Sequence, residues 1–255
     1  MKRFENRVVL ITGAGSGIGQ ATVARILEEG GIVLAADVSE SGLATTRERA
    51  EAAGAGDRLT TLVVDVSDES SVQTVLGDAI KAAGKLDVLV NAAGILRSEH
   101  THKTTLEFWN RVLTINLTGT FLVTRECLPA LLATGNGVVV NFSSTSASFA
   151  HPYMAAYAAS KGGIQAFTHT IALEYAKQGL RAVSVCPGSI QSGMTSDPGL
   201  PADADMALFM KMSPALNNGG FAGAENIAAA IAMFASDDGK FITGTELRID
   251  GGTHM

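Results

Sequence analysis

Tyr157 and Lys161 stand four residues apart in Tyr157-Ala158-Ala159-Ser160-Lys161, and Ser144 lies thirteen residues before the tyrosine in Asn141-Phe142-Ser143-Ser144. These residue types can move a proton. A phenol ionises at ~10 and is almost wholly protonated near neutrality, but a cation within ~4–6 Å favours the phenolate. If the chain is helical after His151 and Pro152, the i to i+4 spacing places phenol and ammonium on one face, about one turn apart. The same pair also fits an ordinary helix surface, so the elements that would position it have to decide.

Those elements alternate. Residues 8–11, 32–36, 59–64, 86–90, 138–142 and 182–185 read as strands, several of them almost wholly apolar, as in a parallel sheet covered on both faces. Residues 18–29, 41–53, 69–83, 105–133 and 153–178 are helix-length, with apolar residues at three- and four-residue intervals. A last strand ends in the turn at Asp250-Gly251-Gly252. The pattern predicts an α/β fold, a doubly wound parallel sheet of about seven strands with helices on both faces. Right-handed crossovers then bring every strand's C-terminal end to one edge, where ligands bind at the switch in strand order. With 255 residues, 46% of them hydrophobic, and no linker or repeat, residues 1–255 are expected to form one domain.

Composition excludes several partners. A formal net charge of −6 supplies no basic field for nucleic acid or an anionic membrane surface. No apolar run is long enough for a signal peptide or a membrane span. Cys127 and Cys186 lie apart in apolar surroundings, which suits reduced core thiols and a cytoplasmic location. His100 and His102 have a spacing that suits a metal, but no second cluster completes a site; a solvated loop, and no metal, is expected.

Directly after the first strand, Thr12-Gly13-Ala14-Gly15-Ser16-Gly17-Ile18-Gly19 opens the first helix. Glycines there permit a tight turn and let the main chain approach a pyrophosphate, while the helix N-terminus supplies unpaired N–H groups for the anion. A dinucleotide site is expected. Asp37 ends the second strand, where a carboxylate can accept from both ribose hydroxyls. A 2′-phosphate would meet like charge, and neither Val38 nor the glycine turn supplies a cation to offset it. NAD(H) is therefore predicted over NADP(H). Ser39 and Ser41 are the competing candidates to cap the next helix.

On these motifs, which match in identity, order and spacing over essentially the whole chain, the sequence resembles the short-chain dehydrogenase/reductase family in its short, single-domain, Rossmann-type form. The resemblance implies that Gly13, Ser16, Ile18 and Gly19 hold the pyrophosphate and that Asp65 and Val66 contact the adenine. It implies that Asn91, in Asn91-Ala92-Ala93-Gly94, lies along the cofactor and stabilises the central sheet, and that Asn116 links the active-site lysine to solvent through a water. Ser144, Tyr157 and Lys161 match the remaining catalytic positions, Tyr157 and Lys161 also touching the cofactor. The Ile190 backbone would bind the nicotinamide carboxamide, as would Ser192, where the family commonly has threonine. Serine keeps the hydroxyl and loses the methyl that restricts its rotamer.

The implied reaction is hydride transfer between NAD(H) and a small-molecule alcohol or carbonyl carbon, with Tyr157 as general acid/base, Ser144 on the substrate oxygen and Lys161 lowering the phenol pKa. A homotetramer is the family's default. A Met- and Pro-rich segment at about 190–223 reads either as a lid over substrate or as a pair of short helices closing the core, and Phe149, His151 and Met154 are candidates to face substrate. A related epimerase or dehydratase, or a noncatalytic NAD-sensing or scaffold protein, are the alternative readings.

Overall fold

The computed structural model describes residues 2–210 and 212–255. Its strands are β1 (Val8–Thr12), β2 (Ile32–Asp37), β3 (Leu59–Val63), β4 (Val88–Asn91), β5 (Val138–Phe142), β6 (Arg181–Pro187) and β7 (Thr245–Ile249). All pair in parallel, in the order β3-β2-β1-β4-β5-β6-β7. The chain winds outward from β1 to β3, then restarts beside β1 with β4 and winds the other way. The crevice between β1 and β4 is thus the topological switch point, as the doubly wound pattern predicts.

Central strands are buried from end to end, and alternate residues feed two cores. On one face Val9 and Ile11 of β1 pack with helices α1 (Gly17–Glu28) and α2 (Glu40–Ala52) through Val23, Ile26 and Leu43. On the other, Val8 and Leu10 join Leu76 of α3 (residues 69–83), Leu122 and Leu131 of α4 (residues 106–133) and Ile171 of α5 (Ala155–Glu174). The period-2 pleat of the strands and the apolar faces of the helices account for both layers.

Three features depart from the sequence expectation. A sixth long helix, α6 (Ala224–Ala235), covers the first face with Ile227, Ile231 and Phe234, whose 4- and 7-residue spacing is its helical signal in the sequence. Within α4, Thr114–Thr118 forms a π-helical turn between Leu106–Leu113 and Gly119–Ala133. Helix α5 begins at Ala155 rather than at 153, because Tyr153 has φ of +66°, a left-handed conformation that no helix continues through.

At the C-terminal edge the register aligns Thr12, Asn91, Asn141 and Ser184 across β1, β4, β5 and β6. Most of this buried polar row finds partners, while Asn91 Oδ1 and Ser184 Oγ meet no described residue. Asn91 Nδ2 donates to Asn141 Oδ1 and to Thr124 Oγ1, both at 2.9 Å, and Asn141 Nδ2 donates to Thr168 Oγ1 at 2.9 Å. The row ties the sheet to α4 and α5, the two helices that carry the candidate chemistry.

Candidate active site

The glycine turn lies at the switch point, and its glycines are sterically required. Gly13 has φ of +68°, and a Cβ there would stand 2.8 Å from the Ala92 carbonyl, so the β1 and β4 turns touch through it. A Cβ at Gly19 would sit 2.0 Å from Gly13 O, an impossible contact. Ser16 precedes α1 in extended conformation, and its side chain caps nothing, which leaves the hydroxyl and the first-turn N–H groups facing a cavity. That cradle fits a pyrophosphate by the usual logic of helix N-termini.

Asp37 stands at the end of β2. Its Oδ2 accepts from Gly15 N at 2.8 Å and its Oδ1 from Ser39 N at 2.9 Å, so the carboxylate fixes the glycine turn and still lines the cavity. It does not cap α2; Ser39 does, accepting from Gly42 N at 3.1 Å. Asp65 and Val66 line the same cavity, Asp65 holding the Ser67 N–H and hydroxyl at 2.9 and 2.6 Å.

Ser144, Tyr157 and Lys161 line this cavity as well. Ser144 is extended and accepts from Ser146 N at 3.1 Å, which orients its oxygen and leaves its own proton free for another acceptor. Tyr157 and Lys161 share one face of α5, the ammonium 5.6 Å from the phenol ring centre and donating to Phe142 O at 2.8 Å. The expected depression of the phenol pKa is not what these residues produce on their own. Burial pushes Tyr157 up to about 12, with the Ser144 hydroxyl pulling the other way. Burial also draws Lys161 down to about 8, which weakens it as a source of positive charge.

Asn116 sits on the π-helical turn, fully buried. Its Oδ1 accepts from Ile95 N at 2.8 Å while its Nδ2 donates to Ile95 O at 2.9 Å and to Ser160 Oγ at 3.1 Å. The side chain therefore clamps the loop after β4 to α5. A Cβ at Gly94 would lie 3.1 Å from Asn116 Oδ1 and 3.7 Å from Lys161 Nζ, so the two predicted relay residues meet at that glycine.

The cavity measures about 1320 Å³ and joins the dinucleotide cradle to a more apolar chamber with Leu96, Met154, Leu200 and Phe209 in its walls. Within 190–223, from which Lys211 lies outside the described residues, Gly193–Ser196 and Met206–Met210 form two short helices. Ile190 and Ser192 line the cavity; Ser192 caps the first of these helices, and a Cβ at Gly17 would lie 3.5 Å from its Cβ, so the segment reaches the glycine turn. The second short helix is anchored from below. Tyr153 Oη accepts from Asp205 N at 2.8 Å, its ring stacks on Phe209, and Asp203 meets His100 Nε2 at 2.8 Å and Lys103 Nζ at 3.4 Å. His100 is thus not the solvated loop residue expected from sequence, because the segment a hundred residues on folds back to it.

Of the predicted site residues, Gly13, Ser16, Ile18, Gly19, Asp37, Asp65, Val66, Ser144, Tyr157, Lys161, Ile190 and Ser192 line one cavity. Asn116 supports it from behind. Asn91 lies in the polar row, where its Nδ2 donates to Asn141 and Thr124, and Ala92, Ala93 and Gly94 directly after it line the cavity. His151 and Met154 line the chamber, whereas Phe149 stacks behind it on His254. Sequence reasoning missed His254 and its partner Asp250; the i, i+4 spacing of an acid and a histidine after the last strand was the available signal.

A model of the short chain dehydrogenase family matches residues 7–200. The 3-oxoacyl-acyl-carrier-protein reductase of Thermotoga maritima is 36% identical over 98% of this chain and 98% of its own length. The cis-4-hydroxycyclohexanecarboxylate dehydrogenase of Sinomonas cyclohexanicum is 36% identical over 98% and 97%. Among solved structures, a short chain dehydrogenase from Mycobacterium paratuberculosis bound to NAD superposes with a TM-score of 0.90 at 28% identity, covering 98% of each chain. The glycine cradle at the switch point, the serine, tyrosine and lysine around one cavity and these full-length matches agree, and the chain belongs to the short-chain dehydrogenase/reductase family of oxidoreductases.

Proposed function

We propose that the protein is an NAD(H)-dependent dehydrogenase/reductase that interconverts a secondary alcohol and its ketone, with Tyr157 as the general acid/base. One observation carries this reading: Ser144, Tyr157 and Lys161 open into the same cavity as the glycine cradle and Asp37. The nicotinamide, when bound, supplies the hydride acceptor or donor, and its oxidised ring adds the positive charge that the protein alone does not bring to the phenol.

In the oxidative direction Tyr157 takes the alcohol proton, and Ser144 donates to the same oxygen and fixes the carbinol carbon. Lys161, held against Phe142 O, would steady the phenolate and hold the cofactor ribose. The Asn116 carboxamide is taken up by Ile95 and Ser160, so a proton relay past it runs by its main-chain carbonyl, which already accepts from Thr120 at 2.7 Å. The Asp37 carboxylate, set beside Gly15 N–H, supports a free ribose over a phosphorylated one. Ile190 and Ser192, which line the cavity, would hold the carboxamide end.

The apolar chamber supports a modest carbon skeleton, in keeping with the hydroxycyclohexane ring in the name of one relative. The proposal extends to one domain over residues 1–255 and to a homotetramer, for which Leu173, Leu247 and Phe241 offer exposed apolar contacts. The buried, unpaired Cys127 and Cys186 support a reducing cytoplasm.

Tyr157→Phe tests the mechanism. The variant should bind NADH as the wild type does and lose about 10²–10⁴ in kcat. Near-normal turnover would remove Tyr157 from the role, and NAD binding without turnover of any alcohol by the wild type would favour a sensor.

A further inference from the structure

At the substrate end of the cavity lies a polar group that the hydride-transfer reading does not use. Asp250, the residue after β7, is buried and packs where a Cβ on Gly188 would strike its own Cβ at 2.6 Å, directly against the 187–190 segment. Its Oδ1 accepts from Gly252 N at 3.0 Å, and its Oδ2 faces His254 Nδ1 at 3.0 Å, with Arg248 Nε at 3.5 Å. The His254 ring stacks on Phe149 at 4.3 Å between centres, and His151 lies 5.5 Å away, its Nε2 turned to Thr145 Oγ1 at 3.2 Å. His151 and His254 line the cavity beside Ser144 and Thr145.

The chemistry of this group is directional. A carboxylate can only accept, so the proton of a neutral His254 must sit on Nδ1, and Nε2 is left as an acceptor. No described residue meets Nε2. Burial holds His151 near 4, with His254 acting in the same direction, so the second imidazole adds no charge at neutral pH. An acceptor with a locked tautomer, oriented by stacking and a buried acid, is a site for a hydroxyl that donates.

We infer that the physiological substrate carries a second hydroxyl besides the carbinol being oxidised, and that this hydroxyl donates to His254 Nε2. His254 is then a specificity-determining residue, Asp250 the residue that sets its tautomer, and Phe149 the plate that holds its plane. The inference rests on the alcohol dehydrogenase reading above. It deepens that reading from secondary alcohols to diols and hydroxyketones.

The test compares kcat/KM with NAD⁺ for cyclohexanol and 2-butanol, for the 1,2-, 1,3- and 1,4-cyclohexanediols and 2,3-butanediol, and for 2-hydroxycyclohexanecarboxylate. At least one diol should exceed its parent alcohol by about tenfold or more. In His254→Phe, which keeps a ring to stack on Phe149, that diol-to-alcohol ratio should fall about tenfold; in His254→Gln, whose amide oxygen can accept, it should recover in part. A ratio is insensitive to the fraction of folded enzyme, and the wild-type preferences stand even if a variant fails to fold. Turnover of cyclohexanol or 2-butanol with no diol preferred overturns the inference and leaves the dehydrogenase reading intact, as does a His254→Phe ratio within twofold of wild type. Preference for the hydroxycarboxylate over every diol overturns it in favour of a charged imidazolium. Turnover of none of these compounds overturns the inference, while the dehydrogenase reading falls only if NADH binds and no alcohol of any kind is turned over.

Discussion

Replacing Lys161 by methionine should make the protein more stable at neutral pH while abolishing its turnover. Lys161 is 4% exposed, and burial lowers its pKa from the ordinary 10.5 to about 8, the Cys186 thiol opposing weakly. A fall of that size means that keeping the ammonium charged costs the folded state ~3 kcal/mol at pH 7. Methionine has similar length, no charge and a flexible apolar chain. It forfeits the bond from Nζ to Phe142 O and leaves that carbonyl unmet, a loss of ~1 kcal/mol. The net gain is ~2 kcal/mol, or ~4–8 °C in Tm for a chain of this length.

The pH dependence gives the prediction its sign. Because the folded-state pKa lies below the unfolded one, the unfolded chain holds more protons between about 8 and 10.5, and wild-type stability rises across that window. Lys161→Met has no such group, so its advantage should be full at pH 7, shrink above pH 8 and reverse by ~1 kcal/mol near 10.5, where only the lost hydrogen bond remains. Tyr157, raised from its ordinary 10 to about 12, lowers stability as pH rises from about 10 to 12; it is present in both proteins, so its overlap with the top of the window drops out of the difference. The assay is thermal unfolding of cofactor-free protein at fixed concentration from pH 7 to 10. A lower Tm for the variant at pH 7, or a difference that does not change with pH, would refute the reasoning.

Asp37→Asn removes the carboxylate charge while keeping an acceptor for Gly15 N–H; at ~5 Å from a 2′-phosphate each unit charge is worth ~1–3 kcal/mol, so the NADP⁺ to NAD⁺ ratio of kcat/KM should rise about 5- to 150-fold, and an unchanged ratio would count against a ribose contact. Gly19→Ala drives a methyl into Gly13 O, a contact of 2.0 Å without relaxation, and should abolish NADH binding in a fluorescence titration while far-UV circular dichroism stays native. Asn141→Ala strips partners from Asn91 and Thr168 at once and should cost ~2–4 kcal/mol in urea unfolding; a loss under 1 kcal/mol would show the polar row to be replaceable.

Most of the scaffold was legible in the sequence because its signals are local. Apolar runs such as Val8–Thr12 and Val138–Phe142, glycines that open a helix and an i, i+4 tyrosine-lysine pair are all written within a few consecutive residues. What stayed hidden is what two distant segments decide together. Asp203 meets His100 across a hundred residues, Asp250 delivers His254 to a cavity first visible at Ser144, and Asn91 of β4 pairs with Asn141 of β5 fifty residues on.

The phenol shows why this matters for chemistry as well as for contacts. Sequence can count the cation near Tyr157, but only the packed structure sets the desolvation against it, and here desolvation wins. Burial that holds Lys161 down and Tyr157 up leaves a resting pair that is poorly disposed to take a proton. A bound oxidised nicotinamide would add charge within this same cavity, so the apparent pKa governing alcohol oxidation should fall well below 12 once NAD⁺ is bound. A pH–rate profile of kcat/KM for the alcohol at saturating NAD⁺ that inflects near 12 would mean that the cofactor does not tune Tyr157; an inflection several units lower would place the switch for base catalysis in cofactor binding itself.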